Sequence, residues 1–136
     1  VDVDAYVSGA ESLRSYQIAV DVSGGTAGSL NQETLSVDPA REFLGVGGVT
    51  YVGTDYVDGR VANVRETGGE PVADGTYLAT FRFRASAMAS GTFAFSVRLA
   101  DTGLANADSA RVDVTSTSGA SVTVFRKLGG GIQDLD

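Results

Sequence analysis

DGTYLATFRFRASAMASGTFAFSVRL, residues 74–99, alternates, breaks and alternates again. Ala79, Phe81 and Phe83 recur at every second position, with Thr80, Arg82 and Arg84 between them. After Gly91 the pattern resumes as Phe93, Phe95, Val97 and Leu99, with Thr92, Ala94, Ser96 and Arg98 on the other phase. A period of two over such a length marks strands buried on one face and wet on the other. The stretch reads as two antiparallel strands, with ASAMAS as the crossing between them.

The same texture extends in both directions. VDVDAYV alternates on Val1, Val3, Ala5 and Val7; RSYQIAVDV turns Tyr16, Ile18, Val20 and Val22 inward; TLSVD buries Leu35 and Val37. VTYVGTDYVDGRVANVRET predicts a hairpin turning at Asp58-Gly59, a strong turn dipeptide. RVDVT and ASVTVF add two late strands, whereas PAREFLGVGG (39–48) reads as a loop laying Phe43 and Leu44 on the core. Nine short strands, no helix and no repeat predict a single all-β antiparallel sandwich over residues 1–125. Its centre should be Phe81, Phe83, Phe93 and Phe95. Residues 126–136, with three glycines and an acidic end, read as a flexible tail in which Ile132 and Leu135 are the residues able to dock.

Composition removes many functions. The chain has 136 residues, 43% apolar and 20% charged, enough for a real core. It has neither Cys nor His, so Ser-His-Asp and Cys-His nucleophiles and nearly all zinc sites are excluded. A net charge of −7 with no Lys/Arg block argues against nucleic acid and against a polybasic membrane anchor. No apolar run approaches the roughly 20 residues of a membrane helix, so no membrane insertion is expected. Carboxylate pairs exist (Asp2 with Asp4, Asp55 with Asp58, Asp101 with Asp108 around TGLANA), but none shows the D-x-D-x-D-G order of a Ca²⁺ loop. Solvated surface acids are the simpler reading, a structural Ca²⁺ the sharper one, and no other cofactor is expected. Nothing marks two carboxyls facing across a cleft as glycosidases need. Sugar-binding surfaces stack planar rings, most often Trp, which is absent; Tyr51 and Tyr56 on the hairpin are five apart and so fall on opposite faces of a regular strand.

The order of these strands resembles a cohesin domain, the scaffoldin module that binds dockerins. GTYLATFRFRASAMASGTFAF is similar to the family's Gly, strand ending in Phe-x-x-Lys/Arg, Ala/Ser-rich segment, Gly and further strand. RSYQIAVDV resembles the family's third strand, TLSVD its fourth and GRVANVRE its sixth, so the likeness spans residues 1–124. It implies a jelly-roll sandwich and a non-catalytic, extracellular or cell-surface module that binds a dockerin-type domain. A cohesin opens with one strand more than VDVDAYV supplies, which implies an edge completed by an upstream segment, the tail or a neighbouring molecule. The family's binding face, on its third, fifth, sixth and eighth strands, carries over to Ser15, Gln17, Ala19 and Asp21, to Asn63 and Arg65, and to Ser96 and Arg98. Ser15 and Gln17 stand where well-known cohesins have an Asn and an acidic residue, so partner specificity would differ. An ordinary solvated face fits these residues as well. Two other functions share the fold: a polysaccharide-binding module and a structural domain of a surface protein.

Overall fold

A computed structural model of the chain describes residues 1–41, 50–55, 59–65, 69, 71, 75–128 and 131–132, with backbone alone for 50–55, 65, 127, 128, 131 and 132. The strands are β1 (Asp2–Val7), β2 (Leu13–Gly24), β3 (Leu30–Ser36), β4 (Thr50–Asp55), β5 (Arg60–Arg65), β6 (Thr76–Ala85), β7 (Gly91–Val97), β8 (Gly103–Asn106), β9 (Arg111–Val112), β10 (Ala120–Val124), β11 (Lys127–Leu128) and β12 (Gly131–Ile132). One sheet has the order β1-β6-β3 and the other β10-β7-β2-β5-β4, and every ladder is antiparallel. The two pack face to face as the all-β sandwich that the alternation predicts.

Nine of the twelve strands have four residues or more, but they are not the expected nine. RVDVT shrinks to the two residues of β9, and the expected loop TGLANA contains β8. β8 exists because β2 offers it a ladder: Leu13 faces Asn106, Ser15 faces Ala105 and Gln17 faces Gly103. The hairpin is as expected, Asp55 opposite Arg60, with Gly59 at φ +66° leading into β5. Most of the 39–48 segment, Asp58 and Tyr56 lie outside the described residues. Within residues 126–136, Lys127–Leu128 pairs with Gly131–Ile132, while Leu135 also lies outside the described residues.

The expected centre is the observed one. Phe81, Phe83, Phe93 and Phe95 are all buried, and the rings of Phe83 and Phe95 meet across the sheets with centroids 5.0 Å apart at 52°. Ile18 and Val20 of β2, Leu35 of β3 and Val61 of β5 complete the same cluster. The ASAMAS crossing is locked as well as apolar. Ser90 and Ala27 exchange backbone hydrogen bonds, and the Ser86 hydroxyl accepts from the Ser29 amide. A side chain at Gly28 (φ +66°) would come within 2.6 Å of the Ala89 backbone, so only glycine fits there.

β1 is held from its outer side by charge. Arg82 donates from Nε and Nη2 to the two oxygens of Asp2, at 2.8 and 3.1 Å. Asp4 accepts from Arg41 and from Thr80, each at 2.8 Å, and Arg41 stacks 4.0 Å over the Tyr77 ring and reaches Asp38. These bonds hold three carboxyls below their ordinary range: Asp2 chiefly through Arg82, Asp4 chiefly through Arg41, and Asp38 chiefly through the Ala40 amide, with Arg41 second. With depressed folded values, the unfolded chain takes up protons first as pH falls. The contribution of the three is therefore whole above the ordinary carboxylate pKa of about 4 and is lost as pH drops through the lower folded values.

Two outcomes follow from this packing. Melting temperatures recorded from neutral pH downwards should stay level until about pH 4 and then fall; Asp4→Asn should lower the neutral value and flatten that acid limb, and an unchanged limb would show that the clamp is not responsible. Phe81→Ala should cost about 3–5 kcal/mol in a urea titration, because the ring is wholly enclosed and leaves a cavity.

Candidate functional site

β2 is long enough to carry two sets of partners. Residues 15–19 pair with β5 on one side, and residues 13–17 pair with β8 on the other. Residues 20–24 pair with β7. β7 and β8 thus run end to end along one side of β2, interrupted by a 3-10 turn at Leu99–Asp101. The turn is fastened where it leaves the ladder: the Arg98 amide donates to the Ala19 carbonyl, and the Thr102 hydroxyl donates to the Arg98 carbonyl while accepting from the Ala19 amide.

Register fixes which residues share the outward face. Directly opposed residues of neighbouring strands point the same way. Val64, Ser15 and Ala105 form one row across β5, β2 and β8, and Ala62, Gln17 and Gly103 form the next. All six are half-buried, a flat patch of small side chains with two polar ones at its middle. A shallow depression of about 550 Å³ lies over it. A Cβ built on Gly103 meets nothing within 4 Å, so the face is open there. The hairpin end of β8 is shaped by Asn106, whose Oδ1 accepts from the Asp108 and Ala110 amides.

One end of the patch is a charge network. Arg98 binds Asp21 at 2.7 Å and Asp101 at 3.3 Å, and Arg60 approaches Asp101 at 3.9 Å. The Asp21 carboxylate, first, and Asp101 with it, raise the affinity of Arg98 for its proton. Gln17 donates from Nε2 to the Asp101 carbonyl at 2.9 Å, tying the polar centre of the patch to this border. Two arginines balance two aspartates, so the border is locally neutral and directional.

Of the residues expected on this face, Ser15, Gln17, Asp21, Ser96 and Arg98 are brought together. Ser96 stands opposite Asp21 and is exposed. Ala19 has the outward phase, opposite Arg60, but is fully enclosed and offers no surface. Asn63 is a correction. It pairs with Tyr16, shares its inward phase, and is only 2% exposed. Its Nδ2 lies 3.4 Å from the Tyr16 hydroxyl, which itself donates to the Leu78 carbonyl. This asparagine belongs to the polar part of the core. Arg65 pairs with Thr50 at the end of β5, and its side chain lies outside the described residues, as does that of Tyr51. The residues that the sequence reading passed over are Arg60, Ala62 and Val64 of β5, and Gly103 and Ala105 of β8, while Asp101, read there as a surface acid or Ca²⁺ ligand, belongs to the border of this face. The signal for the first three was Arg60 directly after the turn glycine, which sets the outward phase of the strand.

The other candidate groups sit elsewhere. Asp2 and Asp4 are taken up by the clamp on β1, and Asp108 lies in the β8–β9 turn. Among the described residues no three acidic side chains gather at one point. The exposed aromatic rings described are Tyr6, which meets Tyr77 edge-on at 6.2 Å, and Phe125, beyond β10. Neither lies in the two rows of the patch.

Comparison of the chain with family models, with curated proteins and with solved structures returns no match.

The inward reading of Asn63 and Tyr16 has a direct check. Tyr16→Phe should destabilise the fold by about 1–3 kcal/mol, because the Leu78 carbonyl and the Asn63 amide lose a buried partner. A loss near zero in chemical denaturation would place that hydroxyl in contact with solvent instead.

Proposed function

We propose that the outward face of β5, β2 and β8 is a protein-recognition surface and that the chain acts as a cohesin-like, non-catalytic module of jelly-roll type. In this reading it works outside the cell or at its surface, and it binds a dockerin-type domain that brings enzymes or surface proteins together. The observation that carries it is the neighbourhood of strands. The residues that the cohesin resemblance assigns to the partner face fall on β2, on β5 and on β7 with the residue after it, and these three strands lie side by side in one sheet.

The chemistry of the face agrees with this use. Small residues at Ala62, Gly103 and Ala105 allow close approach of a partner helix. Ser15 and Gln17 offer hydrogen bonds at the centre, and Arg98 and Arg60 border them, as directional arginines often do at interfaces. Among the described side chains of these rows none is aromatic, whereas pyranose faces need stacking platforms; Tyr51, opposite Val64 in β4, is the ring that the register adds to the first row.

Calorimetric titration with a panel of Ca²⁺-loaded dockerins, and with soluble β-glucans in parallel, tests the assignment. Binding to a dockerin should be weakened by about 1–2 kcal/mol in Gln17→Ala. It should be abolished by Gly103→Arg, whose melting temperature should stay near the wild-type value because the added side chain enters open space. Heat with glucans alone would move the function to sugar binding, and silence with both would reduce the resemblance to one of fold.

A further inference from the structure

The chain passes from β3 of the smaller sheet to β4 of the larger through residues 37–49. Val37 packs on the core, but residues 38–41 make no ladder, and Pro39, Ala40 and Arg41 are exposed. Among the described residues three contacts fasten this stretch to the smaller sheet. The Asp38 amide donates to the Tyr77 hydroxyl at 3.0 Å, Arg41 donates from Nη1 to Asp4 Oδ2 at 2.8 Å, and its guanidinium lies 4.0 Å over the Tyr77 ring. Covered in this way, and met edge-on by Tyr6, Tyr77 is only 5% exposed.

The groups involved close into one circuit. Thr80 gives its single hydroxyl hydrogen to Asp4 Oδ1 at 2.8 Å, so in its 2.7 Å contact with Tyr77 the tyrosine is the donor. Hydrogen bonds therefore run from the Asp38 amide to Tyr77, from Tyr77 to Thr80 and from Thr80 to Asp4. Arg41 joins the two ends, since its Nε donates to Asp38 Oδ2 at 3.0 Å while its Nη1 holds Asp4. The Ala40 amide adds a bond to Asp38 Oδ1, also at 3.0 Å. Every path ends on a carboxylate. A protonated carboxyl is itself a donor, so protonation at either end takes an acceptor out of the circuit.

We infer that residues 38–41 are an acid-released strap: protonation of Asp4 and Asp38 frees them from β1 and β6 and uncovers the Tyr77 ring, while both sheets stay folded. Among the described residues, the titratable and charged groups that face the two carboxyls are Arg41 of the strap, Tyr6 of β1 and Tyr77 of β6. Asp2, next on that face of β1, is held by Arg82 instead. Arg41 binds its proton the more firmly for its two partners, Asp4 first, so the carboxyls are the groups that change. Arg41 chiefly, with Thr80 behind it, holds Asp4 below its ordinary range; the Ala40 amide, then Arg41, do the same for Asp38 against a smaller opposing effect of Asp4. The strap is therefore fully held above the ordinary carboxylate pKa of about 4 and is lost as pH drops through the lower folded values. Release stays local for two reasons. The ties are exposed ion pairs and single hydrogen bonds, which hold weakly. The core offers acid no target, since no carboxylate or cationic side chain among the described residues is fully buried. Weakly held segments open ahead of the rest.

NMR relaxation of the backbone amides of the full chain, followed from neutral pH down to about pH 2.5, tests this. Order parameters at Ala40 and Arg41 should fall from about 0.85 to below about 0.6, with a midpoint under about pH 4, and the Tyr77 ring signals should move with them. The amide shifts of Phe81, Phe83 and Phe93 should hold over the same range. Asp4→Asn should leave the strap mobile already at neutral pH, and so should Arg41→Gln, which alters neither sheet. Asp2→Asn, on the same face of β1 but outside the circuit, should leave it ordered there. Amides of Ala40 and Arg41 that stay ordered at the acid end overturn the inference, as does loss of their order only together with the phenylalanine shifts. So does a strap that is ordered at neutral pH in either Asp4→Asn or Arg41→Gln, or one that Asp2→Asn sets free.

Discussion

Everything in the larger sheet is fastened to one strand. β2 runs for twelve residues and carries ladders to β5, β7 and β8, so three strands take their register from its alternation. A slip of one residue in β2 would turn Tyr16, Ile18 and Val20 to solvent and bring Gln17 and Asp21 inside. The cost of burying those polar groups makes the register unique. The outward patch follows from it: once Tyr16 and Ile18 face the phenylalanines of β6 and β7, Ser15 and Gln17 must face away.

The interruption at residues 98–102 turns this spine into a surface with a border. Had β7 continued straight into β8, the outward face would be a plain ladder of small residues. Instead the chain leaves the sheet for one 3-10 turn, held by Thr102 and the Ala19 backbone, and carries Arg98 and Asp101 to the rim. Gln17 is oriented by that turn through the Asp101 carbonyl. Its side chain thus has one amide hydrogen committed and a carbonyl oxygen still to offer, a polar group pre-positioned for a partner.

The sequence made β6, β7 and β2 legible because large apolar residues there occupy one phase only. β5 was not legible in that way. RVANVR carries Val61 and Val64 on opposite phases, and the polar Asn63 suggested an outward phase that burial contradicts. What reverses it is the Tyr16 hydroxyl, a partner supplied by a strand more than forty residues earlier, and no local pattern reports that. β8 was hidden for a related reason: GLAN contains a glycine and an asparagine and looks like a loop until β2 gives it somewhere to pair. Ser15, Gln17 and Arg98 were found because β2 and β7 were phased correctly; Ala62, Gly103 and Ala105 were missed because their neighbours, not their own chemistry, put them on the face.

Protection in this molecule is graded from one end of β2 to the other. Around β6 and β7 the strands are pinned by Phe81, Phe83, Phe93 and Phe95, all fully enclosed, whereas no residue of β8 or β9 is. β8 is joined to the rest through its ladder with β2 and the turn at Arg98, Arg14 of β2 donates to the Ser109 hydroxyl in the β8–β9 turn, and among the described strands β9 pairs with β8 alone. The β8–β9 hairpin can therefore detach as a small cooperative unit at a free energy well below that of global unfolding. The half of the face bearing Gly103 and Ala105 then belongs to a less protected part of the larger sheet, while the half bearing Ser15 and Gln17 is anchored in the β2–β5 ladder. The surface is assembled from one rigid and one adaptable side, so a docked partner would be read by the first and clasped by the second.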